Sequence, residues 1–167
     1  MSSPAHTLLL EIHPDAARSA DWPPAEEIRA LAGRLLARLA RDESLPGVWQ
    51  LSLTITDDAG IRVVNRDWRD KDRATDVLSF PQFEFYNGAL EDGQEIPPAP
   101  EGNLLGDIMI SYETCQKQGS EIGHGTRDEF ARLLVHGLLH LVGYDHERGS
   151  EEERVMQRRE DELLAEC

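Results

Sequence analysis

The sequence predicts an α+β fold, a small mixed β-sheet of about four strands with helices packed on it. Three observations carry this reading. Val48–Thr56 alternates Leu51, Leu53 and Ile55 with Ser52, Thr54 and Thr56, the period of a half-buried strand. Glu26–Ala40 sets Ile28, Leu31, Leu35, Leu36 and Leu39 at helical spacing, which makes an amphipathic helix. A segment from about Arg127 to Val142 is apolar nearly all round, so it reads as a helix buried in the core.

The other elements follow in order. Thr7–Ile12 (TLLLEI) is a first strand, closed by Pro14, and Trp22-Pro23-Pro24 leads into the amphipathic helix, where prolines suit the entrance. Leu45-Pro46-Gly47 is a turn into the alternating strand. Asp57 and Asp58 offer an N-cap to a short helix holding Ile61, Val64 and Trp68. Val77–Phe80 and Leu104–Tyr112 are the third and fourth strands, and Glu113–Gly123 is helical. Between these strands, Phe83–Asn103 is rich in glycine, proline and acids and reads as a long surface loop with little or no order. Thr126 with Glu129, and Ser150 with Glu153, have the form of capping boxes at the starts of the buried helix and of a charged terminal helix. The order is β-α-β-α-β-β-α-α-α, with no repeat and no linker long enough to separate two domains, so residues 1–167 are expected to form one.

Chemistry concentrates in one place. Three of the six histidines lie between His136 and His146. His136 and His140 are four apart on the buried helix, so both rings leave one face. Gly143 follows where a helix ends in a left-handed residue, and the turn brings His146 round to face the first two. Buried imidazoles need a hydrogen bond or a metal, and this pattern favours a metal clip. Imidazole ligands suit zinc, nickel, copper or iron, with zinc the default for a hydrolytic site. Three protein ligands leave a fourth position for water, the mark of a catalytic site. The spacing matches that of metzincin peptidases, but their general-base glutamate is replaced by Gly137.

The formal net charge is −15, which argues against a general nucleic-acid-binding surface. Glu84–Glu101 holds five acids and no base, whereas Arg62–Arg73 holds Arg62, Arg66, Arg69, Lys71 and Arg73. Any polyanion must therefore bind locally, beside that basic segment and the metal. No run approaches a membrane span, the N-terminal apolar run is too short for a secretory signal, and two cysteines make no disulfide framework. A cytoplasmic location is the expectation.

The blocks HGLLHLVGYDH (His136–His146), NRDWRDKDRATDVLSFP (Asn65–Pro81) and LGDIMIS (Leu105–Ser111) resemble the YbeY family, bacterial metal-dependent endoribonucleases of ribosomal RNA maturation. The resemblance implies a mixed sheet with the metal in a cleft beside the histidine helix. It makes His136, His140 and His146 ligands of one zinc ion, with nickel an alternative in purified protein. It assigns Arg69 to the active site, from the family's N-x-x-Y-R pattern, with Trp68 standing where tyrosine is usual and expected to keep its packing. His136 is paired with Arg69 as catalytic. The implied activity is single-strand-specific cleavage in 16S ribosomal RNA maturation and ribosome quality control, with the small ribosomal subunit and its assembly proteins as partners. Two other readings stand beside it, an assembly factor with a structural metal and a metallopeptidase.

The remaining candidates have plainer explanations. An ion pair with Asp67, Asp70 or Asp72 competes for Arg69. Asp145 caps the turn or orients an imidazole, Thr75 and Asp76 resemble a strand-entry cap, and Asp107 needs a structural partner in its apolar strand. His124 is read as an exposed loop residue, His6 and His13 carry no signal, and the terminal helix reads as a solvated face.

Overall fold

A computed structural model describes residues 5–167 of the chain. The reading of the N-terminus as lacking a secretory signal lies partly on residues 1–4, outside the described ones. Strand β1 (Thr7–Ile12) is followed by the short helix α1 (Pro14–Ala17) and by α2 (Ala25–Asp42), then β2 (Trp49–Thr56) and α3 (Asp58–Arg69). Next come β3 (Val77–Pro81), the two-residue strands β4 (Phe85–Tyr86) and β5 (Ala89–Leu90), and β6 (Asn103–Ser111). The chain ends in α4 (Tyr112–Ile122), α5 (Gly125–Leu141), a 3-10 turn at His146–Arg148, and α6 (Ser150–Leu164).

The main sheet has the order β1-β2-β6-β3 and is mixed, as expected. β1 and β6 flank β2 in parallel, and β3 runs antiparallel to β6. Along β2, Trp49, Leu51, Leu53 and Ile55 are buried while the intervening residues are only partly covered, so one face takes the core. Helix α5 lies against β3, β6, α4 and α6, with Phe130, Leu133, Leu134, Val135, Leu138 and Leu139 buried. A helix so placed is fixed by dry contacts on several sides. Among the described residues, no helix is long and apolar enough to cross a membrane.

Three expectations need correction. The acidic loop is not structureless. Phe85 pairs with Leu90 and Tyr86 with Ala89, around Asn87 and Gly88 at φ of 45° and 86°. Asn-Gly supplies the two left-handed residues of a tight hairpin turn, a signal present in FYNGAL and overridden there by the surrounding acids and prolines. The hairpin is docked, with Phe85 buried and the amides of Asn87 and Gly88 donating to the carbonyls of Gly143 and Val142.

Neither capping box forms. α5 starts at Gly125 and Thr126 donates its hydroxyl to Asp21 instead. Glu129 bonds the side chains of Arg132 and of His124, the N-cap residue, rather than a backbone amide at the helix entrance. At α6 the N-cap is Gly149, with no side-chain cap. Tertiary partners outbid the local motif in the first case. The terminal helix is also more than a solvated face, since Met156, Arg159 and Leu163 are buried.

Candidate metal centre and its cleft

The histidine cluster is built by the end of α5. Gly143 has φ of 87°, and the amides of Gly143 and Tyr144 donate to the carbonyls of His140 and Leu139. This is a Schellman closure, which ends the helix and reverses the chain. Asp145 then accepts from the Glu147 amide at 3.0 Å and starts the 3-10 turn that carries His146. Capping, one of the two roles read for Asp145, is thus its role here.

The three rings converge, with centroids 4.6, 5.2 and 5.5 Å apart. One nitrogen from each lies within 4.8 Å of the others, and the closest pair, Nε2 of His136 and of His140, is 3.0 Å apart. A tetrahedral ion held by imidazoles at about 2.0–2.1 Å separates its ligand atoms by roughly 3.3 Å, so the residues fit such a group. Burial, together with His136 and His146, brings the His140 imidazole down to about 4, which keeps it a neutral electron-pair donor at neutral pH.

Two residues at this site, Glu160 and Arg132, escaped the sequence. Glu160, on α6, places Oε1 2.8 Å from Nδ1 of His136. Nδ1–H donating to that carboxylate leaves the Nε2 lone pair aimed at the cluster, which is how a ligating imidazole is oriented. The available signal was positional. Glu160 shares a helical face with the buried Met156 and Leu163, so an acid stood inside the apolar stripe.

The position of a peptidase base is closed. A Cβ on Gly137 would lie 3.0 Å from Ile108 Cδ1 and 3.2 Å from Ser79 Oγ, so this face of α5 is pressed onto the sheet. The Gly137 carbonyl also accepts from Ser79 Oγ at 3.2 Å. Any side chain at this position would require Ile108 or Ser79 to shift.

The cluster opens into a cleft of about 730 Å³ whose other wall carries the basic segment. Asn65, buried on α3, donates to the Arg73 carbonyl at 2.9 Å and so clamps the loop after the helix. Lys71 N–H closes onto the Asn65 carbonyl at 3.2 Å, after Asp70 turns left-handed at φ of 57°. Arg69, Lys71 and Arg73 thereby line the cleft with the histidines. The competing ion pairs are taken by other residues, Arg62 with Asp72 and Arg66 with Asp67. Among the described residues Arg69 makes no ion pair.

Arg132 adds a fourth cation to the cleft. It is held by Glu129, which is fully buried, at 2.5 and 2.8 Å. Burial alone would raise the Glu129 carboxyl, but Arg132 and His124 hold it below the usual glutamate range. With its amide turned to donate, Gln118 reaches Asp76 Oδ2 at 3.3 Å and Glu129 Oε2 at 3.0 Å. His124 is an exposed loop residue, as expected, and its Nε2 lies 3.2 Å from Oε1 of the buried Glu129. Asp76 accepts from the Val77 amide at 2.7 Å, the expected strand-entry cap. Tyr144 donates to Glu43 at 2.7 Å, and Asp107 is half-buried on β6. His6 and His13 accept from the amides of Trp49 and Asp15. Trp68 packs beside Phe80 and stands 77% exposed at the cleft.

Comparisons with known proteins bear on this arrangement. The model of a family described as Endoribonuclease YbeY matches residues 16–167. A curated relative from Leptospira interrogans, named Endoribonuclease YbeY, is 47% identical over 134 residues, 75% of this chain and 92% of that protein. One of the same name from Paramagnetospirillum magneticum is 40% identical over 160 residues, 95% of this chain and 93% of that protein. The solution structure of a Thermotoga maritima protein matches with a TM-score of 0.56 at 18% identity, covering 95% of this chain and 90% of that one. That last likeness concerns the fold.

Proposed function

The chain belongs to the endoribonuclease YbeY family, and we propose on that footing that it is a metal-dependent endoribonuclease cutting single-stranded RNA. The observation that carries the reading is the convergence of His136, His140 and His146 on one wall of a cleft whose other wall presents Arg69. We assign the three histidines as ligands of one divalent ion, zinc by preference for an all-imidazole set. When bound, such an ion polarises a phosphoryl oxygen and acidifies a water molecule.

The chain's own residues do the rest. His136 offers Nε2 because Glu160 holds its Nδ1 proton. Arg69 offers a planar, permanently charged fork to the phosphate on which negative charge grows, a geometry lysine does not reproduce. Lys71 and Arg73 supply a local positive field to a chain whose formal net charge is −15. A polyanion is drawn to this cleft and repelled elsewhere. As substrate we propose ribosomal RNA, 16S in particular, with the small ribosomal subunit as partner, acting in the cytoplasm, and the chain working as a single domain. The packed Gly137 weighs against the peptidase reading.

The test is cleavage of a labelled single-stranded RNA by the wild type, by chelator-treated protein and by Arg69→Ala, each checked for metal content and folding. Loss of cutting on chelation, restored by zinc, together with poor cutting by an Arg69→Ala protein that keeps its metal, supports the reading. Equal cutting by all three would assign the activity to a contaminant and leave a binding factor with a structural metal as the better description.

A further inference from the structure

Three tryptophans are present, and the fold treats them differently. Trp22 and Trp49 are 3% and 1% exposed, whereas Trp68 is 77% exposed. Trp68 is on the last turn of α3, in helical register with the buried Ile61 and Asn65, and would be expected to share their burial. Its stripe instead runs out over the cleft that holds the three histidines. There the indole stands beside Phe80 of β3, with ring centroids 6.3 Å apart and planes tilted by 59°. Arg69, Lys71 and Arg73 follow within five residues and line the same cleft.

We propose that Trp68 forms a nucleobase subsite, its exposed indole stacking on one unpaired base of a single strand whose neighbouring phosphate is held by Arg69. The inference rests on the nuclease reading above and deepens it. Every nucleobase has a π-face and every nucleotide a phosphate, so an exposed aromatic beside a cationic fork matches one nucleotide of any sequence. Charge decides against other occupants. A second copy of this chain would bring another −15 to the site, and an apolar protein surface would leave the three cations unanswered. Stacking also gives the cleft a way to select strandedness. In a duplex the base faces are covered by their neighbours, so only an unpaired base can lie on Trp68. Purines, with larger faces, should bind ahead of pyrimidines.

Trp68 is its own reporter, because the other two indoles are buried. Metal-loaded protein would be titrated with a 2′-O-methyl hexa-adenylate, checked to stay uncut during the titration, with an abasic oligomer of equal charge, and with a longer duplex whose pairing holds at the assay temperature. Tryptophan emission and affinity would both be followed. The expected result is quenching by the single strand alone. Trp68→Ala should weaken adenylate binding about 5- to 150-fold while leaving abasic binding unchanged, and Trp68→Phe should keep most of the affinity. Equal losses for the adenylate and the abasic oligomer would make Trp68 a mere support of the cleft wall and overturn the proposal. So would quenching by the duplex, or a Trp68→Ala protein that binds like the wild type. The two readings fail separately. Quenching by the adenylate without any metal-dependent cutting of unmodified RNA sinks the nuclease and keeps the subsite. Cutting with unaltered Trp68→Ala binding does the reverse.

Discussion

Arg69 lines the cleft and Glu160 holds a histidine from behind, so the two should fail differently when replaced. Arg69 reaches the cleft unpaired among the described residues, so Arg69→Ala removes charge stabilisation without touching the ligands. Turnover should fall about a hundredfold or more with metal content unchanged, read by single-turnover cleavage and metal analysis of one preparation. Glu160 contacts His136 alone among the histidines. Glu160→Ala should weaken zinc affinity about 10- to 100-fold in a chelator competition, with the fold retained. A Glu160→Ala protein that holds zinc as tightly as the wild type would remove Glu160 from the site.

At the scale of elements, the geometry depends on how α5 is held at its two ends. Its C-terminal end is closed by Gly143 under the β4–β5 hairpin, where a Cβ would lie 2.1 Å from the Phe85 carbonyl oxygen. Gly143→Ala meets both a left-handed backbone and that clash. A loss of at least about 2 kcal/mol is expected, or a fall in Tm of roughly 4–8 °C by calorimetry. Nearer its start, α5 carries Glu129, whose carboxyl is held below its ordinary value of 4.5 by Arg132 and His124 against the opposing effect of burial. A carboxyl depressed on folding contributes stability that is fully present above the unfolded value and is lost as pH falls through the lower, folded value. Urea midpoints should therefore drop as pH is lowered below about 4.5, and Glu129→Gln should flatten that part of the profile. The same variant should cost about 2 kcal/mol at neutral pH, since it leaves Arg132 without its charged partner.

For the whole molecule the controlling feature is a small basic cleft on a strongly acidic protein. Three cations without an ion pair among the described residues line that cleft, Arg69, Lys71 and Arg73, beside Arg132, which Glu129 already holds. If each of the three meets one phosphate, the logarithm of RNA affinity should fall against the logarithm of salt with a slope of about −2 for a single strand. A slope implying eight or more phosphates would mean that RNA tracks well beyond the cleft. Charge carried elsewhere on the surface, including Glu84, Glu91 and Asp92 beside the β4–β5 hairpin, works against such an extended path.

The sequence by itself determined the four strands of the main sheet, the long helices, the clustering of three histidines and the local placement of the cationic segment. These follow from short-range rules, namely the periods of apolar residues, the i, i+4 pairing of His136 and His140, and the need for glycine at residue 143 where φ is positive. The hairpin at Asn87-Gly88 was legible too, through its turn dipeptide, though composition masked it. Tertiary structure alone decided which long-range partner each polar residue took. Thr126 and Glu129 have the spacing of a capping box, yet Asp21, 105 residues away, claims the Thr126 hydroxyl, while Glu129 takes the nearby Arg132 and His124. Glu160 reaches His136 from 24 residues away only because α6 packs beside α5. Trp68 follows the periodicity of a core residue and is exposed because its helix overhangs the cleft. Pattern along a chain reports which face a residue occupies. What stands opposite that face depends on contacts far apart in sequence, which pattern does not encode.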